Sequence, residues 1–322
     1  MARVSTIVLP AVTSAIAVTA VAVTDSRFGD TEFLITLRDV VRFVVSRFNE
    51  AELFFGHGTS NAFDEAVHLA LHILHLPPDT LELFYDARLS DAERGEILHL
   101  AARRVDEKIP LAYLINRAWL GDFSFYVDPR VIVPRSFIAE LLRDGLEPWL
   151  AEPANIRSAL DLCTGSGCLA ILLAHTFENA HIDAVDISDA ALAVAKHNVD
   201  AYNLTDRIDL IESDLFDALD GKRYDLIISN PPYVDEAAMQ SLPVEYRHEP
   251  HLALAGGMDG IALVRRIINR ARLKLHRGGI LIVEIGHNRP AIEAAFPELE
   301  FTWLPTSAGD DFVFLVEYEN LP

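Results

Sequence analysis

An apolar run that stops at Asn230-Pro231-Pro232-Tyr233 sets an amide side chain, two ring-locked residues and an aromatic in four consecutive positions. Both prolines have fixed φ and no N–H, so the loop presents carbonyl oxygens in a stiff arrangement without competing donors. That suits a substrate nitrogen carrying two N–H groups, such as a primary amide or an exocyclic amine. One hydrogen goes to the Asn230 side-chain oxygen and another to the Pro231 carbonyl, while Tyr233 packs on the flat group. Asn-Pro also marks simple turns, but a turn explains neither the second proline nor the tyrosine. Asn230, Pro231, Pro232 and Tyr233 are therefore the candidate catalytic residues.

The elements that must position this loop are legible on either side of it. Tyr224 to Ile228 is short, apolar and β-branched, with Gly221 before it and the prolines after it, which predicts a buried strand. The loop then lies at a strand's carboxyl end, the edge at which open α/β sheets bind ligands. Upstream, Ala159 to Leu162 reads as a strand, Cys163 to Gly167 as a tight loop and Cys168 to His175 as a helix. Gly165 and Gly167 let the backbone turn sharply and approach a ligand closely. A second strand, Ile182 to Val185, ends in Asp186, placed to take both ribose hydroxyls of an adenosine. The third glycine of the dinucleotide fingerprint is missing, which argues against a nicotinamide cofactor. A third strand, Ile208 to Ile211, leads to Asp214 and Leu215, expected to bond an adenine amine and to cover its face. Farther on, a helix from Gly260 to Leu275 and strands at Ile280 to Ile285, Phe301 to Leu304 and Phe312 to Glu317 complete the domain.

A chain of 322 residues with 51% hydrophobic content has room for two domains. Its net charge of −21 excludes a broad phosphate-binding surface, which needs clustered Lys and Arg, and is compatible with a basic protein partner. We expect no stable DNA binding and no membrane association. Only two cysteines, Cys163 and Cys168, occur, both in the glycine segment, which implies a reducing compartment and a cytoplasmic location. Residues Met1 to Val23 have the outline of a secretory leader. The need for a cytosolic metabolite at the glycine loop favours reading 1–24 as a disordered extension.

From Thr31 to Asn116 apolar residues recur at helix spacing, as in Leu34, Leu37, Val41, Val44 and Val45. This predicts a helical domain over 25–117, interrupted by an aromatic loop at Phe54-Phe55. His57, His68, His72 and His75 lack neighbouring Cys or paired carboxylates, so no metal site is assigned to them. Trp119 to Val127 predicts a hairpin turning at Gly121-Asp122, within a linker over 118–136. A helix from Phe137 to Leu146 opens the catalytic domain, 137–322, and Arg135 is expected to face its cleft.

The combination Asp-x-Cys-Thr-Gly-Ser-Gly, Asp186, Ser-Asp-Leu-Phe and Asn-Pro-Pro-Tyr resembles the class I S-adenosylmethionine-dependent methyltransferases. Within them it resembles the protein-glutamine methyltransferases that act on release factors or on a ribosomal protein. Gly56-His57-Gly58-Thr59, Val131-Ile132-Val133-Pro134-Arg135-Ser136 and Glu245-Tyr246-Arg247-His248-Glu249-Pro250 favour the ribosomal branch, the PrmB type. The resemblance runs from about Phe43 to Phe314. The chain departs from the family's pattern at Ser60, Phe63 and Phe137.

The resemblance implies a Rossmann-like α/β fold whose seven-stranded sheet has an antiparallel last strand, beside a helical substrate-recognition domain. It implies S-adenosylmethionine held by Asp161, Cys163, Thr164, Gly165, Ser166, Gly167, Asp186, Asp214, Leu215 and Asn230. The implied activity is methylation of a glutamine side-chain amide in the third protein of the large ribosomal subunit. The release-factor branch, an adenine or RNA amino-methyltransferase using the same loop on a flipped base, and a nucleotide-binding sensor module are the alternatives.

Overall fold

The computed structural model of the chain describes residues 28, 29, 31–150 and 152–322, so the leader or extension read in Met1–Val23 lies outside the described residues. The chain divides into two compact units. One comprises 118–242 and 249–322; the other ends at Arg117 and also takes in Pro243–His248.

The first unit is built on strands whose apolar runs are buried on both faces, as parallel strands covered by helices require. Its sheet contains β3 (Ser158–Leu162), β4 (His181–Asp186), β5 (Ile208–Glu212), β6 (Tyr224–Ser229), β7 (Leu275–Glu284), β8 (Thr302–Trp303) and β9 (Val313–Glu317). The order across it is β5-β4-β3-β6-β7-β9-β8, with β9 antiparallel to both neighbours. This is the mixed α/β seven-stranded sheet expected from the resemblance. From β3 the chain winds outward through β4 and β5, then returns to the other side of β3 for β6 and β7. The order therefore reverses between β3 and β6, the place where such sheets bind ligands. Helices α6 (Ile138–Arg143), α7 (Cys168–Thr176), α8 (Asp189–Ala201), α9 (Glu236–Ser241), α10 (Ala262–Lys274) and α11 (Arg289–Ala295) lie in the connections.

The hairpin of β1 (Ala118–Leu120) and β2 (Phe123–Phe125) turns at Gly121, which has φ +58°, and Asp122. It is fastened to α8 and its C-cap. Ser124 donates its N–H to the Tyr202 hydroxyl at 3.1 Å and accepts from it at 2.9 Å, while Asn198 bonds both backbone groups of Tyr126. Two boundaries differ from the sequence reading by three residues or more. The helix expected to reach Leu146 stops at Arg143, because Gly145 and Leu146 turn left-handed at φ +67° and +62°. Strand β7 begins at Leu275 rather than Ile280: buried Leu275 pairs with Tyr224, and Gly278 at φ +75° lets the register shift before Ile280.

The second unit has its own core. It comprises α1 (Leu37–Glu50), α2 (Ala62–Ile73), α3 (Leu81–Phe84), α4 (Asp91–Glu107) and α5 (Leu111–Leu114). Helix α1 starts where Thr36 and Asp39 form a capping box, and buries Leu37, Val40, Val41, Val44 and Phe48 along one stripe. Helix α4 opens on the same device, Ser90 with Glu93. It also buries a charge.

Arg104 is 1% exposed. Its Nε donates to Glu65 of α2 at 2.7 Å, one terminal nitrogen to the Phe54 carbonyl at 2.8 Å and the other to Glu245 at 3.4 Å. Glu245 accepts the Phe54 N–H at 3.0 Å, so Pro243–His248 and the Phe54 loop share one guanidinium. Phe55 packs against the helical core while Phe54 is 38% exposed. Among the described residues no helix is long and apolar enough to cross a membrane.

Truncating Arg104 leaves Glu65 and Glu245 buried without their cation, a defect that costs about 3–5 kcal/mol. Arg104→Ala should lower the unfolding free energy of the helical unit in urea by that amount. A loss below about 1 kcal/mol would mean that the pair is dispensable.

Candidate active site

The loop after β3 is shaped by what lies beneath it. Asp161 is fully buried and accepts the Thr164 hydroxyl at 2.6 Å. Burial pushes its carboxyl up to about 7, against the pull of the Thr164 hydroxyl and the Ala170 N–H. Cys163 takes a left-handed φ of +62°, followed by Gly165 at +56° and Gly167 at +78°. A side chain on Gly167 would press on Ala195 at 3.1 Å, so this glycine allows α7 and α8 to approach. The position a side chain would take on Gly165 faces open space, which leaves its backbone accessible to a ligand. Burial raises the pKa of both thiols, so neither cysteine is a thiolate nucleophile.

Asp186 closes this cradle from the end of β4. One carboxylate oxygen accepts the Gly165 N–H at 2.9 Å, and the other the Ser188 N–H at 3.0 Å. Each oxygen keeps acceptor capacity for a ligand hydroxyl. Burial raises its pKa, opposed by these N–H groups. The next residue, Ile187, is 51% exposed on the same edge.

The reactive loop comes alongside by register. Leu162 pairs with Ser229, and the buried Ser229 hydroxyl donates to the Leu162 carbonyl at 2.9 Å. Cys163 and Asn230 are thus the first residues past two paired strand ends. Asn230 is half-buried and Pro231 buried. The Tyr233 hydroxyl lies 3.5 Å from Glu284 at the end of β7, and its carbonyl accepts from Asn288 at 2.8 Å. Glu284 also accepts the Ser136 hydroxyl at 2.6 Å and the Phe137 N–H at 2.9 Å.

Asn230 to Tyr233, the glycine loop and Asp186 therefore share one edge. Asp161, Thr164, Ser166 and Leu215 are buried, so their side chains shape that edge from below. Asp214 is half-buried and accepts from Arg266 of α10 at 2.8 Å. Arg135 is tied to an acid of its own unit. Its guanidinium makes a bidentate pair with buried Glu249 at 2.6 and 2.7 Å, and Glu249 also accepts the Val133 N–H, so the arginine fixes its own loop. Glu284, Ser136, Asn288 and Ile187 escaped the sequence reading. The acid ending an apolar strand at Val283-Glu284 was the one available signal. The remaining metal-type grouping among the described residues, His181, Asp183 and Asp209, lies toward the amino ends of β4 and β5, with Lys222 and Tyr224 bonded to Asp183.

The methyltransferase small domain family matches residues 146–245. A ribosomal protein uL3 glutamine methyltransferase of Neisseria gonorrhoeae is 59% identical over 288 residues, 89% of this chain and 96% of that protein. Proteins of the same name from Burkholderia pseudomallei and Bordetella pertussis are 57% and 55% identical, over 89% of this chain and 96% of each. Among solved structures, ribosomal protein L11 methylase of Lactobacillus delbrueckii subsp. bulgaricus is 22% identical. The match covers 59% of this chain and 82% of that one, with a TM-score of 0.42.

Glu284 carries a pH signature. Burial lifts its carboxyl from an ordinary 4.5 to about 7, although Ser136, the N–H groups of Phe137 and Ile138, and Arg135 pull the other way. A native pKa above the unfolded one means that the folded protein holds the extra proton between those values. The stabilising contribution is complete below the unfolded pKa and lost as pH rises through about 7. Glu284→Gln should therefore show a shallower fall of thermal midpoint than the parent between about pH 3.5 and pH 8, about one unit beyond either end of that window. Identical slopes would show that Glu284 does not titrate there.

Proposed function

Because this chain belongs to the family of ribosomal protein uL3 glutamine methyltransferases, we propose that it methylates the side-chain amide nitrogen of a glutamine in uL3. The observation that carries this reading is the in-register pairing that sets Asn230-Pro231-Pro232-Tyr233 beside the glycine loop at the sheet's reversal point.

The cradle fits S-adenosylmethionine: accessible backbone at Gly165, acceptor oxygens on Asp186 bonded beside it, and exposed aliphatic Ile187 for an adenine face. When bound, this cofactor supplies a methyl group made electrophilic by its sulfonium. We assign the ribose hydroxyls to Asp186 and the adenine amine to Asp214, whose carboxylate is oriented by Arg266.

The substrate nitrogen is a poor nucleophile because its lone pair is delocalised into the carbonyl. The Asn230 side-chain oxygen and the Pro231 carbonyl accept its two N–H groups, which returns electron density to nitrogen as its lone pair takes up the methyl; the C–S electron pair would leave with the neutral thioether, and the proton that the methylated nitrogen must lose would depart along one of these hydrogen bonds. Tyr233 packs on the amide plane and excludes water. The rest is positioning, which in a dry site supplies several kcal/mol. We assign recognition of uL3 to the helical unit, supported by Phe54, an exposed aromatic on a loop fixed by Arg104.

With labelled cofactor, the parent protein should label uL3 and leave RNA unlabelled; label in RNA would replace the substrate class. Asn230→Ala should slow single-turnover transfer by about 10²–10³-fold, by analogy with losing one oxyanion-hole donor. Asn230→Asp, which keeps an acceptor, should retain more activity than alanine. Transfer by the alanine variant at the parent rate would reduce Asn230 to a turn residue.

Asp186→Ala should weaken S-adenosylhomocysteine binding more than Tyr233→Ala, since each charge-assisted hydrogen bond contributes about 1.5–3 kcal/mol. Titration calorimetry compares the two. Equal losses would count against the ribose assignment.

A further inference from the structure

The reactive loop is gripped from behind by residues that take no part in the chemistry described so far. Asn288 sits at the N-cap of α11, yet its side chain makes no capping bond there. Instead its amide nitrogen donates to the carbonyl of Tyr233 at 2.8 Å and to that of Ile285 at 3.1 Å, with the Gly260 carbonyl at 3.5 Å. An asparagine at this position could satisfy its own helix; here the donor is directed at the last residue of Asn230–Tyr233.

Three glycines close around the same tyrosine. A side chain on Gly286 would lie 2.7 Å from the Tyr233 ring, one on Gly260 2.6 Å from its carbonyl, and one on Gly256 2.8 Å from its Cα. Each contact is too short for a real carbon, and Gly286 and Gly260 also need φ of +56° and +72°. Downstream, Val234 exchanges backbone hydrogen bonds with Leu254 and Gly256 at 2.9 and 2.8 Å. The Tyr233 peptide is thereby held on several sides, and Asn288 supplies the side-chain donor.

We propose that Asn288 is a positioning residue for methyl transfer: by holding the Tyr233 carbonyl it fixes the Asn230–Tyr233 turn, and with it the direction of the two acceptor oxygens. The effect passes through the loop. The hydrogen bonds of the Asn288 side chain go to Tyr233, Ile285 and Gly260 and not to the glycine loop or Asp186, so cofactor binding is expected to be left intact. Asn288→Asp is nearly isosteric but turns an oxygen toward carbonyls that need a donor, so the loop is released without opening a cavity.

The inference rests on reading Asn230–Tyr233 as the reactive loop. Labelling of uL3 by the parent protein tests that reading by itself. Given an active parent, Asn288→Asp should lower kcat by about 10- to 100-fold, the scale of a small misplacement of reacting groups. KM for uL3 and affinity for S-adenosylhomocysteine should stay within about threefold of the parent, well under that loss.

A purely structural role would not predict the second readout. In an Asn230→Ala background the same substitution should cost less than it does alone, because one of the two acceptors it aims is gone. Asn288→Ser, with a shorter donor and milder packing change, should show the same pattern at smaller size, and decides the matter if the aspartate variant does not fold. Unchanged kcat, or a loss that adds fully to that of Asn230→Ala or follows cofactor affinity, would overturn the proposal.

Discussion

Parallel pairing of β3 with β6, ending at Leu162 opposite Ser229, is the constraint on which the site depends. A shift of one residue would exchange the side chains between the two buried faces of β6, forcing both packed layers to accept residues of the wrong shape, so close packing on both sides locks the register. Ile227 and Ile228 have no exposed surface, and the Ser229 hydroxyl bonds across to Leu162. Two loops with no sequence in common are thereby forced to leave the sheet side by side. One offers accessible backbone, the other acceptor oxygens. Because the strand order reverses here, neither loop is covered by a crossover helix.

The shape of those loops is set by carboxylates. Segments outside strands and helices have backbone N–H groups that must find acceptors elsewhere, and in this chain acidic side chains supply many of them. Asp186 accepts from Gly165 and Ser188, Glu249 from Val133, Glu284 from Phe137, Glu245 from Phe54, and Asp225 from Arg157 and Ser158. Part of the net charge of −21 is therefore internal scaffolding rather than surface. Composition alone suggested a surface property, and the structure assigns many of these acids to holding loops.

That distinction also decides what was legible in the sequence. The strands of the catalytic domain were readable, because short apolar runs bounded by glycine or proline have few other solutions, and Asp186 and Asn230 followed as the residues at their ends. Glu284 and Asn288 were not, since their partner Tyr233 lies 51 and 55 residues away and only the folded sheet brings them together. The helical unit's capture of Pro243–His248 was hidden for the same reason: Glu245 meets Phe54 across 191 residues. The partner of Arg135 was hidden as well, because an arginine's destination depends on which acid the fold presents, here buried Glu249 within hydrogen-bonding distance.

The site's chemistry follows from placing acceptors of different kinds at different depths. Asp186, the acceptor proposed for a neutral ribose, is a carboxylate. The acceptors proposed for the reacting nitrogen are an amide and a peptide carbonyl, with no charge of their own. A carboxylate there would accept more strongly, but it would also attract the cationic cofactor and give up strength to that pairing before the methyl moved. Neutral oxygens direct the nitrogen without competing for the sulfonium. They are also weaker, so their effect depends on direction, and a loop of two prolines held at Tyr233 by Asn288 and seated against Gly286 supplies the rigidity that weak acceptors need.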